Sequence, residues 1–240
     1  MANTHSLDLE ASSSQYAYIE DASQTGLDLS GDFTIEFWVK FESFPTAGTY
    51  SSLVGKLGQA SGFSYGLQHF NNSGTIQISA FACASDVAID QVTATYSFST
   101  GIWYHVAVTC DISNATATEF EFYKDGVSLG NGSINTSATV NSLQNTSTEF
   151  AIGRRAGYTT LDGLIDEVRV WSVIRTDEQI NAYKRRDVTG QSGLVAYWKL
   201  NNSALDETSN NNDLTVSGGT YSTTVPFTSY SPSGSFINLI

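Results

Sequence analysis

Basic residues are scarce in this chain: 11 Lys and Arg stand against 24 Asp and Glu in 240 residues, a formal net charge of −13. A phosphate backbone is bound by clustered Lys and Arg, so nucleic acid is excluded as a partner. Anionic lipid surfaces are repelled for the same reason, whereas divalent cations are attracted. The one basic run, Lys184-Arg185-Arg186, falls at the end of a predicted helix, where it complements the helix dipole. No run approaches the roughly 18 apolar residues that cross a bilayer, so no membrane insertion is expected. An apolar secretion-signal core is missing too, because Met1-Ala2-Asn3-Thr4-His5 leads straight into strand-like sequence. That pattern is expected of a trimmed chain, or of one that leaves its cell by another route, such as inside a virus particle. There are two cysteines, Cys83 and Cys110, both in strand-like runs. They form either a cross-strand disulfide, worth ~2–4 kcal/mol, or two buried thiols; the sequence leaves both open.

Charged residues make up only 15% of the chain, and Ser, Thr, Asn and Gly take their place beside 13 Phe, 12 Tyr and 4 Trp. This is a composition of turns and pleated surfaces. At this length one all-β domain with a core that needs no staples is expected, and no internal repeat or second domain is visible. Alternation is clearest in Phe33–Glu42, where Phe33, Ile35, Phe37, Val39 and Phe41 share one face. The other face, Thr34, Glu36, Trp38, Lys40 and Glu42, is expected to meet water or a ligand. Further strands are predicted at Tyr16–Ile19, Ser51–Lys56, Tyr65–Phe70, Thr75–Cys83, Trp103–Cys110, Glu119–Tyr123, Glu149–Ile152, Leu164–Trp171 and Leu194–Leu200. Turn clusters separate them at Asn71-Asn72-Ser73-Gly74, Lys124-Asp125-Gly126 and Ser217-Gly218-Gly219. One helix is predicted near residues 176–186, opened by a Thr176/Gln179 capping box and expected to cover one end of the sandwich. Residues 228–240 read as an extended tail, whose apolar end Phe236-Ile237-Asn238-Leu239-Ile240 must dock on the domain or on a partner.

Five motifs in order carry a family resemblance. Ser6-Leu7-Asp8-Leu9 with Gln15–Ile19 is similar to a pair of opening strands, and Gly31–Lys40 to the strand that follows. Gly101-Ile102-Trp103-Tyr104-His105-Val106-Ala107, Phe122-Tyr123-Lys124-Asp125-Gly126 and Asp162–Trp171 complete the series. Together they resemble the laminin-G-like jelly-roll domains of the concanavalin A-like lectin/glucanase superfamily. The resemblance implies an all-β, two-sheet antiparallel sandwich over residues 1–227. A strand-and-turn unit, Gly193–Leu200 with Asp206–Leu214, stands ahead of the domain in many relatives and follows it here. Trp38, Trp103, Trp171 and Trp198 lie within strong strands and are expected to pack inside the protein rather than stack on sugars. His105 is expected to be a hydrogen-bonded structural histidine.

The superfamily holds binding modules, adhesion domains and enzymes. Glycosidases need two carboxylates about 5–9 Å apart, and the E-x-D-x-x-E and E-x-D-x-E arrays of laminarinase-like relatives are absent; Glu119 and Glu121 share a strand face without a third acid. Tyr123-Lys124-Asp125-Gly126 and Gln68-His69 echo lyase motifs at the wrong spacing, and no nucleophile elbow, P-loop or dinucleotide fingerprint occurs. The expectation is therefore a non-catalytic recognition or adhesion module for glycan or surface-protein ligands, outside the cell, on its surface or on a virion. His69, Arg155 and Tyr158 are its loop candidates for ligand contact. A structural virion or cell-surface component, such as a phage decoration protein assembling through the tail, is the alternative. A calcium often ties the first strand to the closing one in this superfamily, which implies Asp166 as a ligand with Asp8 or nearby carbonyls opposite. Alternation sets Asp166 beside Leu164 and Val168, where a buried carboxylate needs a partner; Ca²⁺, Arg169 and backbone amides are all candidates. Asp206, Asn210, Asn212 and Asp213 read as Asx turns.

Overall fold

In the computed structural model, which describes residues 2–112, 120–138, 140–155 and 157–232, alternation resolves into two eight-stranded antiparallel sheets. The first runs β10 (Val127–Gly130), β9 (Phe120–Lys124), β8 (Trp103–Cys110), β3 (Phe33–Phe41), β13 (Gly163–Trp171), β1 (Ser6–Leu9) and β16 (Thr220–Ser222), with β14 (Leu194–Trp198) also paired to β13. The second runs β11 (Ser133–Thr136), β7 (Ile89–Tyr96), β6 (Thr75–Cys83), β5 (Phe63–Asn72), β4 (Tyr50–Leu57), β12 (Phe150–Ile152), β2 (Tyr16–Ile19) and β15 (Thr215–Ser217). The inward residues of both sheets form one core, which includes all five apolar residues of the β3 alternation. The β5–β6 and β9–β10 hairpins turn where expected, with Ser73-Gly74 and Asp125-Gly126 at positive φ. Cys83 and Cys110 lie in different sheets; both thiols are buried and no disulfide joins them.

The outer face of the first sheet departs from expectation. Thr34, Glu36 and Trp38 are buried rather than offered to water. The helix α1 (Asp177–Tyr183), opened by the expected capping box, lies over this face and not at an end of the sandwich. Its Ile180 packs on Ala107 and Tyr123, an apolar patch that otherwise faces solvent. The C-terminal segment completes the cover: Phe227 meets Trp38 and Tyr230, and Ser231 N–H donates to the Arg185 carbonyl. The chain thus stays on the sandwich beyond residue 227, and the apolar end 236–240 lies outside the described residues. The alternation of β13 is broken as well. Glu167 adopts φ 54° and the pairing with β3 shifts between Asp166 and Arg169. This bulge turns Val168 into the core while Asp166 stays on the outer face opposite Trp38, so the expected grouping of Asp166 with Val168 does not hold.

Candidate functional site

Over the middle strands of the second sheet the described residues leave hollows, although Ser52, Gln68, Ser79, Phe81 and Thr93 on that outer face are themselves buried. Residues that alternate with the core side chains point outward there: Tyr50 and Ser52 from β4, Gln68 and Phe70 from β5, Gln77, Ser79 and Phe81 from β6, and Gln91, Thr93 and Thr95 from β7. The result is a floor of aromatic rings and uncharged hydrogen-bonding groups. A cavity of about 280 Å³ opens on it, lined by Tyr50, Gln68, Phe81, Gln91, Arg155 and Tyr158. A hollow of about 490 Å³ continues it past Tyr16, Gln59 and Arg154 and shares Arg155 and Tyr158 with it. On the other side, Tyr50 stacks on Phe70 at 4.4 Å, and Phe70 lines a further hollow with Gln77, Thr95 and Asn135. None of the described residues lining these three hollows is Asp or Glu.

Arg155 and Tyr158, two of the three loop candidates, are thus brought together at one site. The segment that carries them is closed by Gly153 N–H to the Leu53 carbonyl and Leu161 N–H to the Gly153 carbonyl. Gly153 has φ 81°, and a Cβ there would come within 2.6 Å of Leu9. The Arg155 guanidinium lies over the rings of Tyr158 at 4.2 Å and Phe63 at 4.7 Å. Its Nε donates to the Gly58 carbonyl and its Nη1 to Gln68 Oε1. Tyr50, Gln68, Phe81 and Gln91 were not singled out from the sequence as ligand contacts, although the same period-2 pattern that fixes the core places them on the opposite face.

His69 does not line these three hollows; it borders a separate one of about 160 Å³ with Ser51, Thr160 and Asp162. It lies on the core side of β5, fully buried against Phe41 at 4.9 Å, with neither ring nitrogen hydrogen-bonded to a described residue. Burial pushes its pKa down to about 3. The residue after an outward Gln must face inward in an extended strand, as His69 does after Gln68 in β5, which is why the loop assignment fails.

The structure also does not join Asp8 and Asp166 in one ligand set. Asp8 is opposite Leu164 in the β1–β13 register. Its carboxylate clusters with Glu10 and Glu42, ligand oxygens within 4.8 Å of one another. Asp8 Oδ1 is buried with no hydrogen-bond partner. Asp166 is spent elsewhere: Oδ2 accepts from Asn3 Nδ2 at 2.7 Å and Oδ1 from the Glu167 amide at 3.0 Å. It borders a buried ionic network in which Arg169 Nη2 meets Glu167 at 2.7 Å and Arg169 Nη1 approaches Glu36 at 3.6 Å. Trp171 Nε1 donates to Glu36 at 2.9 Å, His105 Nε2 lies 3.3 Å from it, and Tyr197 and Tyr230 hydroxyls donate to Glu167. Burial raises the carboxyls of Asp166 and Glu167, each against its neighbours' partial relief. His105 is thus paired and structural, as its strand context implies. Asp206 is an Asx centre, its oxygens accepting from the amides of Tyr197, Thr208 and Asn212. Glu121 accepts from Ser128 on the β9–β10 hairpin, and Glu119 lies outside the described residues.

The sequence profile of the laminin-G type, described as the concanavalin A-like lectin/glucanases superfamily, matches residues 11–181. No protein of curated function matches the chain in sequence. Among solved structures, a candidate carbohydrate-binding protein from Bacteroides ovatus superposes with a TM-score of 0.67 at 19% identity over 95% of this chain. The chain spans 62% of that protein's length. A heptameric SAP-like pentraxin from Limulus polyphemus superposes with a TM-score of 0.53 at 11% identity, covering 76% of this chain and 82% of the pentraxin. At these identities both are likenesses of fold.

Proposed function

The chain belongs to the concanavalin A-like lectin/glucanase superfamily, and from that premise we propose that it is a non-catalytic glycan-recognition module whose ligand lies across the outer face of the second sheet. The observation that carries this reading is the acid-free groove of Tyr50, Gln68, Phe81, Gln91, Arg155 and Tyr158. Sugar rings present apolar C–H faces and a rim of hydroxyls; aromatic side chains meet the first, and amide or guanidinium groups meet the second. The cavity lies near the lower end of the ~300–1,000 Å³ found for small-molecule sites, and the adjoining hollows extend it along the sheet. Glycoside cleavage requires a pair of carboxylates across the bond; with none in the groove, the ligand is held and not cut. Glycans of this kind are presented outside cells or on their surfaces, where such a module would work.

The reading includes a structural calcium. Carboxylate oxygens are the donors Ca²⁺ takes, and the unpaired Asp8 Oδ1 with Glu10 and Glu42 beside it fits such an ion. Those three residues, and not Asp166, would hold it, and its charge would offset their mutual repulsion where the chain leaves β1 and β3.

A glycan array probed with the protein and with Tyr50→Ala and Tyr158→Ala tests the function. The expected outcome is binding that each variant weakens about tenfold or more, as truncation of a central aromatic contact does. Binding that both variants leave intact would remove the ligand from this groove.

A further inference from the structure

The groove carries a cation that the protein itself does not neutralise. Arg155 is 8% exposed, and among the described residues no carboxylate lies within ion-pair distance of it, in a chain with 24 acidic residues. Two acids that share the Cys83 neighbourhood with it are committed to amides: Asp86 accepts from Gly62 and Phe63 N–H, and Asp90 from Ala138 and Val140 N–H. Burial works against the charge on Arg155, and a desolvated ion with no counter-charge is costly. Of the five guanidinium donors, one on Nε and one on Nη1 are taken by Gly58 and Gln68. The remaining N–H groups, on Nη1 and Nη2, make no hydrogen bond to a described residue. They belong to a side chain that lines the cavity, stacked against the Tyr158 ring. Gln68 and Gly58 hold the fork in place, so its free donors are fixed before any ligand arrives. Arg154 stands next along the groove, 3.4 Å from Glu149 and over Tyr16, and so is already paired.

We propose that Arg155 is the subsite for a carboxylate, and that the ligand class is an acidic glycan carrying a uronate or sialate residue. This rests on the glycan reading above and adds the charge of the ligand to it. The carboxylate accepts from the free Nη donors as the guanidinium's counter-ion, while the ring carrying it packs on Tyr158 and Tyr50. Charge-assisted bonds of this kind are stronger than neutral ones, which makes the carboxylate the main determinant of choice among glycans.

The test uses glycan pairs differing only at the acid: oligogalacturonates and sialylated oligosaccharides, each beside its methyl ester, with sulfated oligosaccharides as a third arm. All are titrated into the full chain and into Arg155→Gln and Arg155→Lys. The expected result is that esterification weakens binding about tenfold to a hundredfold, that Arg155→Gln abolishes the difference between acid and ester, and that Arg155→Lys retains part of it. The acid–ester comparison uses the unaltered protein, so a variant that fails to fold leaves the result readable. Equal affinity for acid and ester overturns the carboxylate subsite and leaves the glycan module standing. Preference for sulfate esters with no carboxylate binding overturns it as well. Absence of binding to every glycan overturns both readings.

Discussion

His69 and Glu36 are buried polar residues with opposite surroundings, and acid separates them. The His69 pKa is held near 3 in the folded chain because burial disfavours the charged ring, against about 6.5 when unfolded. Between these values the unfolded chain binds a proton that the folded chain does not. The contribution of His69 is therefore complete above about pH 6.5 and lost progressively as the pH falls toward 3. His69→Leu is expected to be near-neutral at about pH 7 and more stable than the parent by a few kcal/mol at about pH 4. Urea unfolding at the two pH values measures this, and parallel stabilities would contradict it. Glu36 is also buried, which raises its carboxyl, but Arg169 and the His105 hydrogen bond outweigh burial and hold it near 2. Glu36→Gln leaves Arg169 short of a buried counter-charge and is expected to cost ~3–5 kcal/mol in denaturant unfolding. A loss within experimental error would show that Glu167 alone suffices for Arg169.

At the scale of elements, the capping box of α1 has a longer reach than its own helix. The carbonyl of Lys184, just past the helix, accepts from Trp38 Nε1, and those of Tyr183 and Arg186 accept from Arg169. Thr176→Ala is expected to lower stability by ~1 kcal/mol and to raise Trp38 fluorescence quenching by solvent; an unchanged melting curve would show that packing alone holds the helix. Where β1 and β3 end on either side of β13, millimolar Ca²⁺ is expected to raise the melting temperature, and Asp8→Asn to abolish the rise while Asp166→Asn does not. The reverse ranking would restore Asp166 as the ligand. Strands β6 and β8 were legible to the residue because long alternating runs end in turn signals. β7 was not, since Ala94 is its only apolar residue between Val92 and Tyr96 and the outward Thr93 and Thr95 are β-branched like core residues. The bulge at Glu167 was invisible for a different reason: a single residue at positive φ reverses the face of Val168 without changing composition.

For the molecule as a whole, the two outer faces differ in cover among the described residues, and the proposed ligand position rests on that difference. The first is closed by α1, by residues that follow it and by the segment from Phe227 to Ser231; the second, among the described residues, has hollows over β4–β7. Alternation assigns two faces to each strand, but which outer face is covered depends on segments more than a hundred residues apart, such as Phe227, with Tyr230 beside it, against Trp38 of β3. This explains the mixed legibility of the site. Arg155 and Tyr158 sit in a turn and could be named from chemistry, whereas His69 was misplaced because strand phase, not residue type, fixes its side. The floor residues Tyr50, Gln68, Phe81 and Gln91 were readable only as the polar half of an alternation. The most direct measurement is an amide chemical-shift titration of the labelled protein with its tightest array glycan. Perturbations clustered on Tyr50, Gln68, Phe81, Gln91 and the Arg155–Tyr158 segment are the predicted result, and a cluster around Asp8, Glu10 and Glu42 or on the α1 face would contradict it.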